Sequence, residues 1–183
     1  MSTATTLLTA ADYADLPDLG RPTELVRGEV IEMTSPDFRH GQVCLAIGSE
    51  LQQFLKRNRL GRAVSNDTGI ITERDPDTVR GPDVWYISYD TVPPGPLPPG
   101  YLHAVPDIVF EVVSPSDRWS EVLQKVSEYL RAGIPVVCVV DPKTETIHIY
   151  FDDEPEQTLT TADTLTFPNQ LPGFSVPVQE LFE

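Results

Sequence analysis

Basic residues are scarce in this chain. Lysine and arginine total 13 against 28 aspartates and glutamates, a formal charge of -15 over 183 residues. A charge of that size repels nucleic acid and anionic membrane at long range, which excludes a protein that holds DNA by net charge alone. A local basic patch is still allowed. Cysteine is nearly absent. Cys44 and Cys138 each sit in an apolar run and read as small buried hydrophobes in a reducing compartment, not as a disulfide framework. No stretch approaches the roughly 20 apolar residues that span a bilayer. The opening MSTATTLLTAADYADL lacks the basic start and long apolar core of a secretory signal. A cytoplasmic protein with no membrane partner is expected. Also missing are a Walker motif, a dinucleotide fingerprint, a zinc cluster and a nucleophile elbow, so the chemistries those motifs carry lose their usual signature.

The length suits one domain over residues 1–183, able to bury about two-thirds of its extended-chain surface without a staple. Thr9 to Leu16 predicts a short helix with Thr9 as cap and Asp12 three residues on. Residues 23–34 predict a hairpin turning at Arg27-Gly28. Val43, Ile47, Leu51, Phe54 and Leu55 recur at helical spacing and predict a helix from Phe38 to Leu60, ended by Gly61. Strand-like pieces follow at 63–65, 69–72 and 83–87, with turns at Asn66-Asp67 and Asp75-Pro76-Asp77. VPPGPLPPGY, residues 92–101, predicts a proline-rich extended loop.

PDIVFEVV, residues 106–113, is the strongest strand signal. A helix to Ala132 closed by Gly133 comes next, then IPVVCVVD, whose apolar run predicts a strand covered on both faces. Strand, helix and strand resemble a right-handed crossover with parallel strands. Residues 146–151 alternate as a hairpin partner. The tail reads as loop-rich, with Leu171 to Phe182 packing back. The hairpins are expected to flank one mixed sheet.

Strand parity sets Ile108, Phe110 and Val112 on one face and Asp107, Val109, Glu111 and Val113 on the other. Glu111 therefore stands on an otherwise apolar face, where a carboxylate needs a partner. Asp107 lies roughly 13 Å back along the strand and cannot share an ion with it. Asp83 opens another strand-like stretch, and a neighbouring strand is only about 4.8 Å away. Two such carboxylates can hold a hard divalent cation. A turn cap for Asp83 and an arginine partner for Glu111 form the plainer alternative. Val122, Val126, Tyr129 and Leu130 should face the sheet, and Lys125 borders that stripe. Its stem can carry the ammonium to the end of the strand; a surface pair with Glu121 is the plainer alternative.

VRGEVIEMTSPDFRHG, GPDVWYIS and PDIVFEVVSPSDRWSEVLQKVSEYLRAGIPVVCVVDP together resemble a large bacterial restriction-endonuclease family, numerous in cyanobacteria, within the PD-(D/E)XK nuclease superfamily. The resemblance covers roughly residues 8–181 and includes the terminal LPGFSVPVQELF. It implies an α/β (α+β) restriction-endonuclease-like fold with a mixed central sheet flanked by helices. It matches Asp83 and Glu111 to the acidic pair. Position 113 is valine, so the strand lysine is missing, and Lys125 on the next helix takes its place. Superfamily members often add an early glutamate, for which Glu24 is the candidate and Glu29 the second. His40 matches a recurrent family histidine, although capping or packing serves equally well.

The implied activity is Mg2+-dependent hydrolysis of DNA, with Mn2+ able to substitute. Asp83, Glu111 and the Val112 carbonyl would hold the ion, and Lys125 would assist the nucleophile. Two-strand cutting favours a homodimer. The competing reading is a non-enzymatic binding or assembly module on a retained nuclease fold, with the proline-rich loop and Trp85, Tyr86 and Tyr101 as its interface.

Overall fold

The computed structural model describes residues 7–97 and 100–183. Residues 1–6 and 98–99, the latter inside the expected proline-rich loop, lie outside the described residues. The rest of that loop, 92–97 and 100–101, carries neither helix nor strand.

Helix α1 (Ala10–Ala14) starts with the expected capping box between Thr9 and Asp12 and stops short of Leu16. Strands β1 (Thr23–Val26) and β2 (Glu29–Glu32) form the expected hairpin. Arg27 and Gly28 turn it with φ of 51° and 81°, the paired positive values that match hairpin twist. This hairpin does not flank the main sheet. It joins β4 (Ile70–Glu73) and β5 (Thr78–Arg80) in a separate sheet of order β2-β1-β5-β4. The reason is a private core: Leu25, Val79 and Ala10 bury against each other. β5 went unrecognised because three residues are too short to display a period.

Helix α2 (Phe38–Asn58) begins at Asp37, whose carboxylate accepts from the His40 amide at 2.8 Å. It ends on Arg59 in the left-handed conformation, not at Gly61. Gly61 opens β3 (Gly61–Ser65), where a Cβ would lie 2.2 Å from the Ile87 carbonyl oxygen. Its missing side chain serves strand approach there, not helix termination.

The main sheet contains β3, β6 (Val84–Ser88), β7 (Ile108–Val112), β8 (Val136–Asp141), β9 (Thr146–Tyr150) and β10 (Gln157–Leu159), in the order β10-β9-β8-β7-β6-β3. β7 and β8 are parallel, joined across one face by α3 (Trp119–Arg131). The remaining pairings are antiparallel. Parity holds along the strands. Ile108, Phe110, Val112, Val136, Cys138 and Val140 bury toward α2, while Val109, Val137 and Val139 bury with Val122, Val126 and Tyr129 of α3. Each such side chain contributes about 1.5–3 kcal/mol by leaving water. Val43, Ile47, Leu51 and Leu55 thus anchor α2 firmly. Trp85 and Tyr86 are buried in these cores, which removes them from any protein interface.

The tail is not loop-rich. β11 (Thr164–Phe167) and β12 (Leu171–Pro177) pair antiparallel, and a 3-10 turn follows over Val178–Leu181. Leu165, Phe167, Leu171, Phe174 and Val176 close the core under α2. No helix among the described residues is long and apolar enough to cross a membrane. Both cysteines are free thiols; Cys138 is fully buried, but Cys44 is only partly so.

Candidate active site

Five elements meet at one end of the main sheet: the middle of β1, the first turn of α2, the residue before β6, the end of β7 and the centre of α3. Antiparallel pairing sets Val84 opposite Phe110, so the next step along the ladder brings Asp83 beside Glu111. One Asp83 oxygen accepts from the Val112 amide at 2.7 Å. The other lies 3.2 Å from His40 Nε2. The turn-cap alternative for Asp83 thus gives way to a contact between strands.

Glu111 is 9% exposed, and among the described residues its side-chain partners are Lys125 and Tyr129, not an arginine. Tyr129 donates its hydroxyl hydrogen to one carboxylate oxygen at 2.5 Å. Lys125 Nζ stands 3.4 Å from the other. The same ammonium is 3.1 Å from Glu24 Oε1, which also accepts from the Gly81 amide at 3.1 Å. The expected surface alternative fails, since Glu121 turns instead to Arg118 at 3.9 Å. The helix stripe explains this: Val122, Val126 and Tyr129 are buried, and Lys125 rides their edge over the end of β7.

Glu24 is brought in and Glu29 is not. Glu24 is 4% exposed in β1, whereas Glu29 lies exposed on β2. Arg80 was missed in sequence. Its guanidinium donates to Glu24 at 2.8 Å and clasps Glu128 through two bonds of 2.7 and 2.9 Å. A lone arginine ahead of Gly81-Pro82 carries no periodic signal, and both of its partners are distant in sequence. Asp107 accepts from the Ser88 amide at 2.7 Å, in keeping with a strand-start role. His148 pairs with Glu156 at 2.7 Å.

The electrostatics separate the two glutamates on Lys125. Burial raises the Glu111 carboxyl, Lys125 draws it back, and the nearby Asp83 charge raises it again, leaving it pushed up to about 7. Burial also acts on Glu24, but Lys125, Arg80 and the bonds from Arg80 and Gly81 together hold it below the ordinary value. Lys125 is itself raised, because its two carboxylate partners outweigh burial. Burial lowers the His40 imidazole, yet the bond and charge of Asp83 bring it out above its usual value. Asp67 is raised by burial and then by Asp83.

A cleft of about 110 Å³ opens over Glu24, His40, Asp67, Asp83, Glu111 and Lys125, with Val112 in its wall. Asp83 and Glu111 offer hard oxygen donors, and their mutual repulsion in a half-closed site is relieved by a cation. That donor set fits Mg2+ or Mn2+ with water completing the shell.

Comparison with known proteins bears on the family and the fold. The family model described as "Uma2: Putative restriction endonuclease" matches residues 10–179. The chain is similar to the crystal structure of "a putative nuclease belonging to DUF820 from Anabaena variabilis ATCC 29413". The TM-score is 0.82 at 19% identity, over 96% of this chain and 97% of the other, a likeness of fold. No curated protein matches.

Proposed function

The chain belongs to the Uma2 family, and from that premise we propose that it is a divalent-metal-dependent endonuclease hydrolysing DNA phosphodiester bonds. The observation that carries this reading is Lys125, 3.4 Å from Glu111 and 3.1 Å from Glu24 although the strand position for a lysine is valine. Asp83, Glu111 and the Val112 carbonyl would hold Mg2+, with Mn2+ able to substitute. Bound there, such an ion polarises a phosphate oxygen and acidifies a water. Lys125 orients the attacking oxygen and offsets charge that develops on the phosphate. Glu24 keeps the ammonium in place, and Tyr129 fixes the rotamer of Glu111. The acting unit is one domain over residues 1–183, working as a homodimer where both strands are cut; light scattering at working concentration that gives a strict monomer removes the dimer.

The cleft carries Glu24, Asp67, Asp83, Glu111 and Asp117 against the Lys125 amine and the His40 imidazole. An ion-free cleft of that sign repels DNA, so association should require the divalent ion. Purified protein, supercoiled plasmid and Mg2+ or Mn2+ test the reading beside Glu111→Ala. Nicking or linearisation by the native chain alone is expected. Equal cleavage by both, or none by either across duplex, branched and single-stranded substrates, counts against it.

The same acidic lining favours a second reading, a binding or assembly module that no longer cuts. Titration calorimetry separates the two. Divalent binding that vanishes in Asp83→Ala argues against the module.

A further inference from the structure

The acidic pair has another side, toward α2. Asp37 caps that helix and places His40 on its first turn. Cys44 follows four residues later on the same helix face. Its sulfur is 3.5 Å from His40 Nδ1, while the opposite ring nitrogen, Nε2, is 3.2 Å from Asp83 Oδ1, and an ion takes one of these two nitrogens. One donor atom from each of His40, Cys44 and Asp83 lies within 4.8 Å of the others. A tetrahedron with bonds of about 2.0–2.3 Å has edges of roughly 3.5 Å, so a shift of about 1 Å closes the set. The three also border an open groove of about 560 Å³ between α2 and β3, with Gly41, Gly48 and Asp67 beside them. Water or a substrate oxygen can therefore reach a fourth position.

We propose that His40, Cys44 and Asp83 form a binding site for a borderline divalent ion of the Zn2+ class. The donor chemistry decides the class. One imidazole, one carboxylate and one thiol, which burial and the Asp83 and Asp67 charges keep protonated until an ion displaces its proton, suit Zn2+ or Co2+, whereas Mg2+ rejects sulfur. Three protein ligands with a fourth place open is the pattern of a reactive site, not a closed structural one. Asp83 is shared with the hard-ion position beside Glu111, so the carboxylate links the two. Sequence reading overlooked the site because a single His-x3-Cys pair on a helix is no zinc motif until a third ligand arrives from another element.

The test needs no nucleic acid, so its failure and that of the nuclease reading are distinguishable. The full chain, stripped with chelator and kept reduced, is titrated with Co2+ and then Zn2+. One sulfur-bound Co2+ per chain is expected, with a sulfur-to-cobalt absorption band in the near ultraviolet that Zn2+ erases and excess Mg2+ does not. Cys44→Ser should remove the band, and His40→Ala should weaken binding at least tenfold. Cys138→Ala, whose thiol lies in the sealed core, should keep the band. Should the Cys44 variant fail to fold, zinc X-ray absorption on the native chain substitutes, expecting one sulfur at about 2.3 Å. A native chain without the band, a band surviving in folded Cys44→Ser, or a zinc shell without sulfur overturns the proposal.

Discussion

On the α3 side of the Asp83–Glu111 pair, charges close on one another; on the α2 side they do not. Toward α3, Lys125 answers Glu24 and Glu111, Arg80 answers Glu24 and Glu128, and Tyr129 takes the remaining Glu111 oxygen. Toward α2, Asp83 and Asp67 face one imidazole and one thiol beside an open groove. A saturated network holds its side chains in one geometry and suits positioning. A side with surplus acceptors suits capture of something positive from solution. The contrast assigns rigidity to α3 and ligand exchange to α2.

The comparison breaks most visibly at Arg80. Arg80→Met leaves Glu24 and Glu128 without their guanidinium, and removing one partner from a buried pair costs about 3–5 kcal/mol. Urea unfolding followed by circular dichroism checks it. Lys125→Met should lower metal-dependent cleavage roughly 10²–10³-fold, as loss of a charge-stabilising donor does; single-turnover assays at saturating Mg2+ read it. Tyr129→Phe removes one bond to a charged group and should cost about 1.5–3 kcal/mol in unfolding free energy.

The pH dependence sharpens the same contrast. Glu111 is raised from 4.5 to about 7, so between those values the folded chain binds more protons than the unfolded one. Its contribution to stability is full below about pH 4.5 and is lost as pH rises through 7. Glu24 is lowered, so its contribution is present above its unfolded value and is lost as pH falls through its folded one. Glu111→Gln should flatten the decline from about pH 5 to 7, measured by urea midpoints without divalent ions; an unchanged slope contradicts the raised Glu111. The smallest effect belongs outside the site. Arg21→Ala breaks an exposed pair with Glu32 and should shift stability by under about 1 kcal/mol.

Much of the scaffold was legible because its elements carry periodic signals. The strand at Glu111 is an apolar run broken by one carboxylate, the strand at Cys138 is apolar on both faces, and α2 repeats its aliphatics every turn. The errors fall where signals are short or non-local. β5 has three residues, the first hairpin could have joined either sheet, and Gly61 served strand approach instead of ending a helix. At the site, Asp83, Glu111 and Lys125 were readable from parity, helix stripe and family resemblance. Arg80 and the liganding face of Cys44 were not, since each acquires meaning only from residues far away in sequence.

By itself the sequence determined which face of β7 carries Glu111, that Val113 leaves no lysine there, and that Lys125 borders the buried stripe of α3. These follow from the two-residue repeat of strands and the 3.6-residue repeat of helices, which act locally. Only the tertiary structure decided that Lys125 bonds Glu24 instead of Glu121, that Arg80 locks Glu24, and that His40 and Cys44 flank Asp83. Those choices turn on how two sheets and two helices converge, and the burial that drives their packing has no fixed spacing along the chain.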